Sequence, residues 1–337
     1  MRGPSIADSA EGAAPPLVLD DLAPDDPWRQ VRWALLAVFA VVFVWSVWVN
    51  GLPVARLAVL GWVAGAFVVG NVGRPLHRQQ RMVTDLVLYA VMWLAYDYSR
   101  GMADSFDFPL QVEAPMLVDR VLFLGTDPTV WLQRQLYSAQ HVRWYDVVGS
   151  VVYFTHFFLP VAASVFLWVR YRPEWLRYIR RFATVLFAGV ATYVILPTAP
   201  PWMAASRELH YQILDPLARP TGRGWGELGL STVSSVLIRG QEWSNATAAM
   251  PSLHAAFALF VVVFFWPFVQ SRPLKALMAL FPLAMTFSLV YFAEHYVIDA
   301  LAGFAYVAVS FWAWGKWEQR SRNRACNTAL DALGAQR

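Results

Sequence analysis

Charged residues are scarce in this sequence. Only 15% of its 337 residues are Asp, Glu, Lys or Arg, and 58% are hydrophobic, whereas soluble domains carry about 25% charged residues. This composition excludes an ordinary soluble protein and predicts an integral membrane protein. The net charge of +4 is small, and the basic residues cluster at the ends of apolar runs, so we expect no nucleic-acid binding.

Cysteine is almost absent as well. Cys326 is the only one in the sequence, which excludes an intramolecular disulfide and any zinc site built on cysteines. Residues 1–28 are rich in Ala, Pro and Asp, which predicts a disordered tail and does not resemble a cleavable signal peptide. We therefore expect the first apolar segment to be retained as a membrane anchor.

Long apolar stretches dominate the rest of the chain. Eight of them are long enough to cross, or nearly cross, a bilayer of about 30 Å. They predict an all-α, polytopic membrane helix bundle, in which the third stretch is the shortest. The stretches cover residues 31–50, 55–72, 83–98, 147–169, 180–198, 253–270, 275–293 and 296–315.

Arginines at the ends of these stretches set the expected orientation. With eight crossings they fall on one side, which the positive-inside rule makes cytoplasmic. The loops at about 99–146 and 199–252 would then face outward, and they are long enough to hold short helices. We expect a transmembrane domain over 29–316 between cytoplasmic tails at 1–28 and 317–337.

The expected location is the plasma membrane, with both termini in the cytoplasm. The Ala-, Arg- and Trp-rich composition indicates a bacterial source. Six crossings with a re-entrant first hairpin are the alternative, and they leave the later segments in the same orientation.

Two histidines and an aspartate fall at the predicted outer ends of the later segments. His254 starts the sixth segment in MPSLHA, and AEHYVIDALAG places His295 and Asp299 at the start of the eighth. A His and an Asp four residues apart share one helix face. The carboxylate can then accept the second ring proton and stabilise the imidazolium. Ionisable groups are costly in membrane segments, which favours a functional site over an interfacial role.

Ser252 stands directly before the sixth segment. It is a preferred N-cap residue, and Pro251 stiffens the chain before it. The N-terminus of a helix presents unpaired N–H groups and a partial positive charge, which suit a phosphate. His254, in the first turn, is placed to donate a proton to a leaving oxygen. An ordinary capped membrane helix is the simpler alternative.

These motifs resemble those of a known family. PSLH followed some forty residues later by HYVID is similar to two signature blocks of the type 2 phosphatidic acid phosphatase superfamily, which includes vanadium haloperoxidases. LPTAPPW at 196–202, YDYSRG at 96–101 and PTVWLQRQLY at 128–137 look like one branch. That branch is the inositolphosphotransferases related to fungal inositol phosphorylceramide synthase. The resemblance covers roughly residues 83–305.

The resemblance implies a role for each matching residue. His295 would be the nucleophile that forms a phosphohistidine, and Asp299 would orient and polarise it. His254 would protonate the leaving group and then act as base for the acceptor. Ser252 and nearby backbone amides would bind phosphate oxygens. No metal or cofactor is expected, and the core would be formed by the last five segments.

The sequence departs from the superfamily pattern at its cationic positions. Ser288 matches the serine seven residues before the nucleophile, but Leu289 stands where the superfamily has arginine. The first superfamily block needs a lysine, yet Lys275 and Lys316 are the only lysines and both are predicted to be cytoplasmic.

A phosphoryl group in transfer needs cationic partners. We expect Arg100, at the outer end of the third segment, to supply one, and Arg219 is the second choice. An interfacial ion pair of Arg100 with Asp97 or Asp104 is the alternative. His156, inside the fourth segment, is expected to make a structural hydrogen bond or to orient the substrate.

Three functions remain open at this stage. The first is a phosphotransferase that moves a phospho-headgroup, such as inositol phosphate, from a lipid donor to an alcohol, sugar or lipid acceptor. The second is a lipid or polyprenyl (pyro)phosphate phosphatase, which uses water as the acceptor. The third is a non-catalytic carrier or scaffold.

Overall fold

The computed structural model describes residues 27–50, 56–102, 108–207, 209, 211–230 and 246–334. Nearly all of the predicted tail at 1–28 lies outside the described residues. Within them the chain forms twelve α-helices: α1 Arg29–Asn50, α2 Arg56–Gly70, α3 Leu76–Met102, α4 Glu113–Leu122, α5 Pro128–Leu136, α6 Trp144–Arg170, α7 Arg172–Ile195, α8 Pro201–Ala204, α9 Gly224–Glu227, α10 Leu253–Phe265, α11 Arg272–Tyr291 and α12 Val297–Gly334. The all-α prediction is confirmed.

A helix lies at each of the eight predicted apolar stretches. In the described part of the chain, five helical segments are long and apolar enough to cross a membrane: Arg29–Val47, Trp144–Trp168, Arg172–Ile195, Arg272–Tyr291 and Val297–Arg324. The other three apolar helical segments are shorter, at Gly61–Gly70, Met82–Met92 and Leu253–Phe268. The protein is therefore a multi-pass helical membrane protein, and the number of eight crossings stays a prediction.

The last helix continues beyond the predicted membrane boundary. α12 runs to Gly334, through most of the segment at 317–337 that the sequence predicted as a tail. Adding residues to a helix that is already nucleated is favourable, and the segment before Gly334 contains no proline.

The chain divides into two compact units. The larger includes Tyr96–Val165 and Pro173–Arg337, and the smaller includes Ala13–Ala95 and Phe166–Arg172. In the smaller unit the buried Asp85 accepts two hydrogen bonds from Arg172, at 2.8 and 2.7 Å. The candidate residues at 252–299 all belong to the larger unit.

In the larger unit, α10 packs against both α11 and α12. Its small residues Ala255, Ala256 and Ala258 are fully buried. α12 contributes Gly303 at the closest approach, because a Cβ there would stand 2.5 Å from the carbonyl oxygen of Ser252. Only glycine permits this contact, which brings the start of α10 against the first turns of α12.

Gly303→Ala is therefore expected to force α10 and α12 apart. Overpacking of this kind costs about 1–3 kcal/mol, so thermal unfolding of the purified protein in detergent should start at a lower temperature. Gly315→Ala is the matched control on the same helix, because a Cβ there meets nothing within 4 Å. Equal unfolding temperatures for the two variants would contradict the close packing.

Candidate active site

The first element of the site is the start of α10. Ser252 is its N-cap and is fully buried, and its Oγ accepts a hydrogen bond from the N–H of Ala255 at 3.3 Å. The N–H of Ser252 donates to the carbonyl oxygen of Asp299 at 2.8 Å. The expected N-cap is thus present, and the same residue joins α10 to α12. His254 follows within the first turn of α10.

The second element is the tight turn between α11 and α12. The N–H groups of Glu294 and His295 fold back onto the carbonyl oxygen of Leu289, at 3.0 and 3.3 Å, and Ala293 has a positive φ of 59°. His295 lies in this turn, before α12 begins at Val297. The expectation that His295 and Asp299 share one helix face is therefore wrong in detail. His295 comes close to Asp299 because the turn directly before α12 brings its ring back towards the first turn of the helix.

Two carboxylates hold the start of α12. Asp299 accepts a hydrogen bond from the N–H of Tyr296 at 2.9 Å, and Asp119 accepts from the N–H groups of Val297 and Ile298 at 2.8 and 2.9 Å. Three of the N–H groups that the start of a helix leaves unpaired are thereby satisfied. Negative charge is also favourable at this end of the helix dipole. The turn that carries His295 is consequently fixed from α4.

The predicted catalytic residues come together. His295 Nε2 lies 3.4 Å from His254 Nδ1, and His295 Nδ1 lies 3.4 Å from Asp299 Oδ2. His295 is 5% exposed and Asp299 is completely buried. The two ring nitrogens of His295 therefore face different partners, one a carboxylate and the other a second imidazole. Nε2 is therefore the ring nitrogen of His295 that faces away from the carboxylate and towards His254.

The ring of His254 packs against two side chains of α6. Tyr153 stacks on it with ring centroids 4.9 Å apart, and the tilted ring of His156 lies 3.9 Å from it. His156 in turn stacks on Phe257. The Nδ1 of His156 is buried without a hydrogen-bond partner among the described residues. The ring of His156 therefore packs against His254, and the structural hydrogen bond expected from the sequence is not seen at that nitrogen.

Arg219 lies beside the turn between α11 and α12 that carries His295. Its guanidinium donates two hydrogen bonds to Glu294, at 2.7 and 2.9 Å, and it lies 4.6 Å from the centroid of the Trp202 ring. Thr221 donates to the same carboxylate at 2.6 Å. The structure thus places Arg219 next to the residue that precedes His295, with two of its donors occupied by Glu294. Its predicted contact with phosphate stays a prediction.

Two further positions concern the cationic partners expected for the phosphate, namely Arg100 and Leu289. The backbone of Arg100 lies in α3, and its side chain lies outside what the structure describes. Leu289 is completely buried in an apolar cluster with Tyr153, Met285 and Phe292. An arginine at position 289 would place its charge in that core, so the local packing fits the leucine of this chain.

Two motifs of the sequence position the surrounding loops. In the stretch at 196–202, the N–H of Thr198 donates to Thr247 and its carbonyl oxygen accepts from Ala249, at 2.7 and 3.1 Å. These bonds fix the backbone that leads into Ser252. In the stretch at 128–137, Gln133 bonds both backbone groups of Ala218, next to Arg219, and the carbonyl oxygen of Tyr291.

A family model described as the PAP2 superfamily matches residues 116–313, which contain the site. The chain belongs to the PAP2 superfamily. Phosphoinositol dihydroceramide synthase of Bacteroides thetaiotaomicron is 28% identical over 232 residues, which make up 66% of this chain and 73% of that protein. No solved structure matches the chain significantly. The resemblance to this superfamily and to its inositolphosphotransferase branch is confirmed.

As a PAP2 protein, the chain is a membrane enzyme of the lipid phosphotransferase and phosphatase type. This membership favours an enzyme over a non-catalytic carrier. Sequence reasoning missed Asp119, although one signal was available. Asp119 and Arg120 interrupt the apolar stretch MLVDRVL in α4, and a charge that becomes buried needs partners.

Removal of the Asp119 carboxylate should loosen the catalytic turn of this PAP2 enzyme. In Asp119→Ala the N–H groups of Val297 and Ile298 lose their acceptor, and small misplacement of reacting groups can cost about 100-fold in rate. Turnover in a lipid phosphotransfer assay should therefore fall by about 100-fold. Asp127→Ala is the control, because that carboxylate accepts its hydrogen bonds from the side chain of Arg120 and not from the start of α12. Equal losses in both variants would contradict a specific role for Asp119.

The same carboxylate predicts a pH dependence. Burial raises the pKa of Asp119 from 3.8 to about 6, against the lowering effect of the two N–H groups, and the facing carboxylates of Asp299 and Asp127 raise it further. The folded protein holds this proton more tightly than the unfolded chain, so this group favours folding increasingly as pH falls from about 6 towards 3.8. In the folded protein the carboxylate that accepts the two N–H groups is lost as pH falls through about 6.

Catalysis and stability should therefore respond in opposite directions. We expect kcat/KM of the wild type to fall more steeply below pH 6 than kcat/KM of Asp119→Asn, whose amide does not titrate. Parallel pH–rate profiles between pH 5 and 8 provide the measurement. Profiles of identical shape would show that Asp119 does not titrate in the working enzyme.

Proposed function

We propose that this protein transfers a phospho-headgroup from a lipid donor to an alcohol acceptor through a phosphohistidine on His295. The observation that carries the proposal is the meeting of His295 Nε2 with His254 Nδ1 at 3.4 Å, with Asp299 on the other side of the His295 ring. A nucleophile, an acid–base group and an orienting carboxylate are the three parts that this chemistry needs.

In the first step, His295 Nε2 attacks the phosphorus of the donor. The phosphorus–nitrogen bond forms as the bond from phosphorus to the lipid oxygen breaks, and His254 gives its proton to that oxygen. Asp299 stabilises the positive charge that develops on the His295 ring. The phosphate oxygens lie at the start of α10, where the N-terminal N–H groups and the helix dipole favour an anion.

In the second step, an acceptor hydroxyl replaces the departed alcohol. His254, now unprotonated, removes the hydroxyl proton while the oxygen attacks phosphorus, and the phosphorus–nitrogen bond breaks. His295 returns to its starting state and His254 regains its proton. Over the whole cycle the phospho-headgroup moves from the lipid donor to the acceptor, and the enzyme is unchanged.

An inositol phosphate headgroup is the favoured cargo. The support is the printed name of the related Bacteroides protein, a phosphoinositol dihydroceramide synthase, together with the branch-like motifs at 96–101, 128–137 and 196–202. The acceptor class in this proposal is an alcohol, such as the hydroxyl of a lipid.

The second candidate is a phosphatase that uses the same residues with water as acceptor. Burial of the site favours transfer, because His295 is 5% exposed and Asp299 is completely buried. A phosphohistidine in a shielded position is protected from hydrolysis until an acceptor binds.

We further propose that the site faces the extracytoplasmic side of a bacterial plasma membrane. Asp299 lies in the first turn of α12, and basic residues follow on the same helix from Lys316 to Arg324. Seventeen positions separate Asp299 from Lys316, or about 26 Å of helix, which is close to the thickness of the hydrocarbon core. The positive-inside rule then puts the basic end in the cytoplasm, and with the predicted eight crossings the N-terminus lies there as well.

Substitution of the nucleophile tests the mechanism. His295→Ala should abolish headgroup turnover, and His254→Ala should lower it by about 100- to 10,000-fold, as expected for loss of an acid–base group. His141→Ala is a matched control, because His141 is exposed and the contact seen there uses its backbone carbonyl. The assay compares phosphatidylinositol, phosphatidate and a polyprenyl pyrophosphate in nanodiscs. Undiminished activity of His295→Ala would exclude the phosphohistidine.

Dependence on an acceptor distinguishes the two candidate functions. The transferase is expected to turn over labelled phosphatidylinositol only after a long-chain alcohol such as a ceramide is added. Release of water-soluble phosphate or inositol phosphate without an acceptor would establish the phosphatase instead. The His295→Ala variant should be silent in both formats.

A further inference from the structure

Helix α4 exposes an unusually apolar edge. Leu117, Val121 and Leu124 follow one another at intervals of four and three residues, which places them along one side of the helix and its closing turn. Their exposed fractions are 50%, 78% and 96%. Val118, Leu122 and Phe123 widen the same edge and are also more than 40% exposed. A stripe of this kind on a helix that lies outside the membrane-crossing segments points to an apolar environment outside the protein.

The opposite side of α4 is buried against the catalytic region. Asp119 is about 200° around the helix from Leu117 and from Val121, and its carboxylate receives the N–H groups of Val297 and Ile298. Met116, on the same side as Asp119, packs in a buried cluster with Ile298. α4 therefore lies on the first turn of α12, with its apolar edge turned away from it.

The position of α4 identifies what covers this edge. α12 is long and apolar enough to cross the membrane and begins at Val297, so its first turn lies near the membrane surface. Further along, α12 exposes Leu301 and Val309, whose side chains are 44% and 58% exposed and suit contact with lipid. An apolar edge on a helix attached to this end of α12 is continuous with that lipid-facing surface.

We propose that α4 is an interfacial helix whose edge of Leu117, Val121 and Leu124 inserts into the membrane leaflet next to the catalytic turn. The lipid surface is the partner, as for other amphipathic helices that lie in the plane of a membrane. Arg120 suits this position, because its bidentate ion pair with Asp127 at 2.9 Å ties down a charge that flanks the edge.

A groove beside the helix extends the same surface. It has a volume of about 560 Å³, and its lining combines the apolar Leu110, Val112, Leu117 and Ile213 with the polar Gln111, Glu113 and Tyr211. Leu117 belongs to both the groove and the inserted edge. Insertion of α4 therefore brings the groove to the level of the lipid chains, and Asp119 transmits the position of α4 to the turn that carries His295. The effect of α4 on turnover rests on the proposed function, whereas the insertion of α4 into the membrane does not.

Site-directed spin labelling tests the insertion in the full chain. Cys326 is the only cysteine, so Cys326→Ser provides a background for single labels at Leu124→Cys and, as the control, at Asp215→Cys. Asp215 is exposed, and its side chain pairs with Arg134 on the surface. The labelled proteins are placed in nanodiscs of phosphatidylethanolamine and phosphatidylglycerol. Collision of each nitroxide with oxygen and with a water-soluble nickel chelate is then measured by electron paramagnetic resonance.

The label at position 124 is expected to collide mainly with oxygen, and the label at position 215 mainly with the nickel chelate. Equal access of the nickel chelate to both labels would overturn the insertion of α4. For turnover, Leu124→Glu should lose kcat/KM towards a long-chain lipid donor in nanodiscs, but not towards a short-chain soluble donor. Equal kcat/KM of Leu124→Glu and wild type towards both donors would overturn the coupling. A wild type that is silent with every donor would overturn the proposed function and leave the label result standing.

Discussion

The site depends on one backbone contact, the hydrogen bond from the N–H of Ser252 to the carbonyl oxygen of Asp299. This bond joins the first residues of α10 and α12, and it forms because Gly303 lets the two helices approach to a distance that no side chain would allow. With the two helix starts joined, a histidine placed just after one of them meets a histidine placed just before the other. The arrangement of His254 and His295 is thus a result of helix packing, and Asp119 of α4 holds the turn that carries His295 in place.

The N-termini of α10 and α12 differ in the charge that surrounds them. Both present N–H groups and a partial positive charge, but Asp119 and Asp299 already occupy the start of α12 with negative charge. The start of α10 has the neutral Ser252 as its cap. In the proposed mechanism an incoming phosphate is therefore better accommodated at α10, beside His254, and the carboxylate of Asp299 supports the positive charge that develops on His295.

Much of the catalytic core could be predicted from the sequence, because its residues lie in short motifs whose local structure carries the chemistry. Ser252 as N-cap and the proximity of His295 to Asp299 depend on spacings of a few residues. Contacts between distant segments could not be derived in this way. Asp119 meets Val297 across 178 positions of sequence, and Arg219 meets Glu294 across 75, and no periodicity encodes either pair. The contact of His156 with His254 was missed for the same reason, since it depends on how α6 packs.

The central claim is that the phosphorus of the donor becomes bonded to His295. The most direct measurement is rapid quenching of the enzyme during turnover of a lipid donor, followed by mass spectrometry of its peptides under conditions that preserve phosphorus–nitrogen bonds. The account predicts an added phospho-headgroup on His295, and none on His254. A modification on any other residue, or continuing turnover with no modified enzyme, would contradict it.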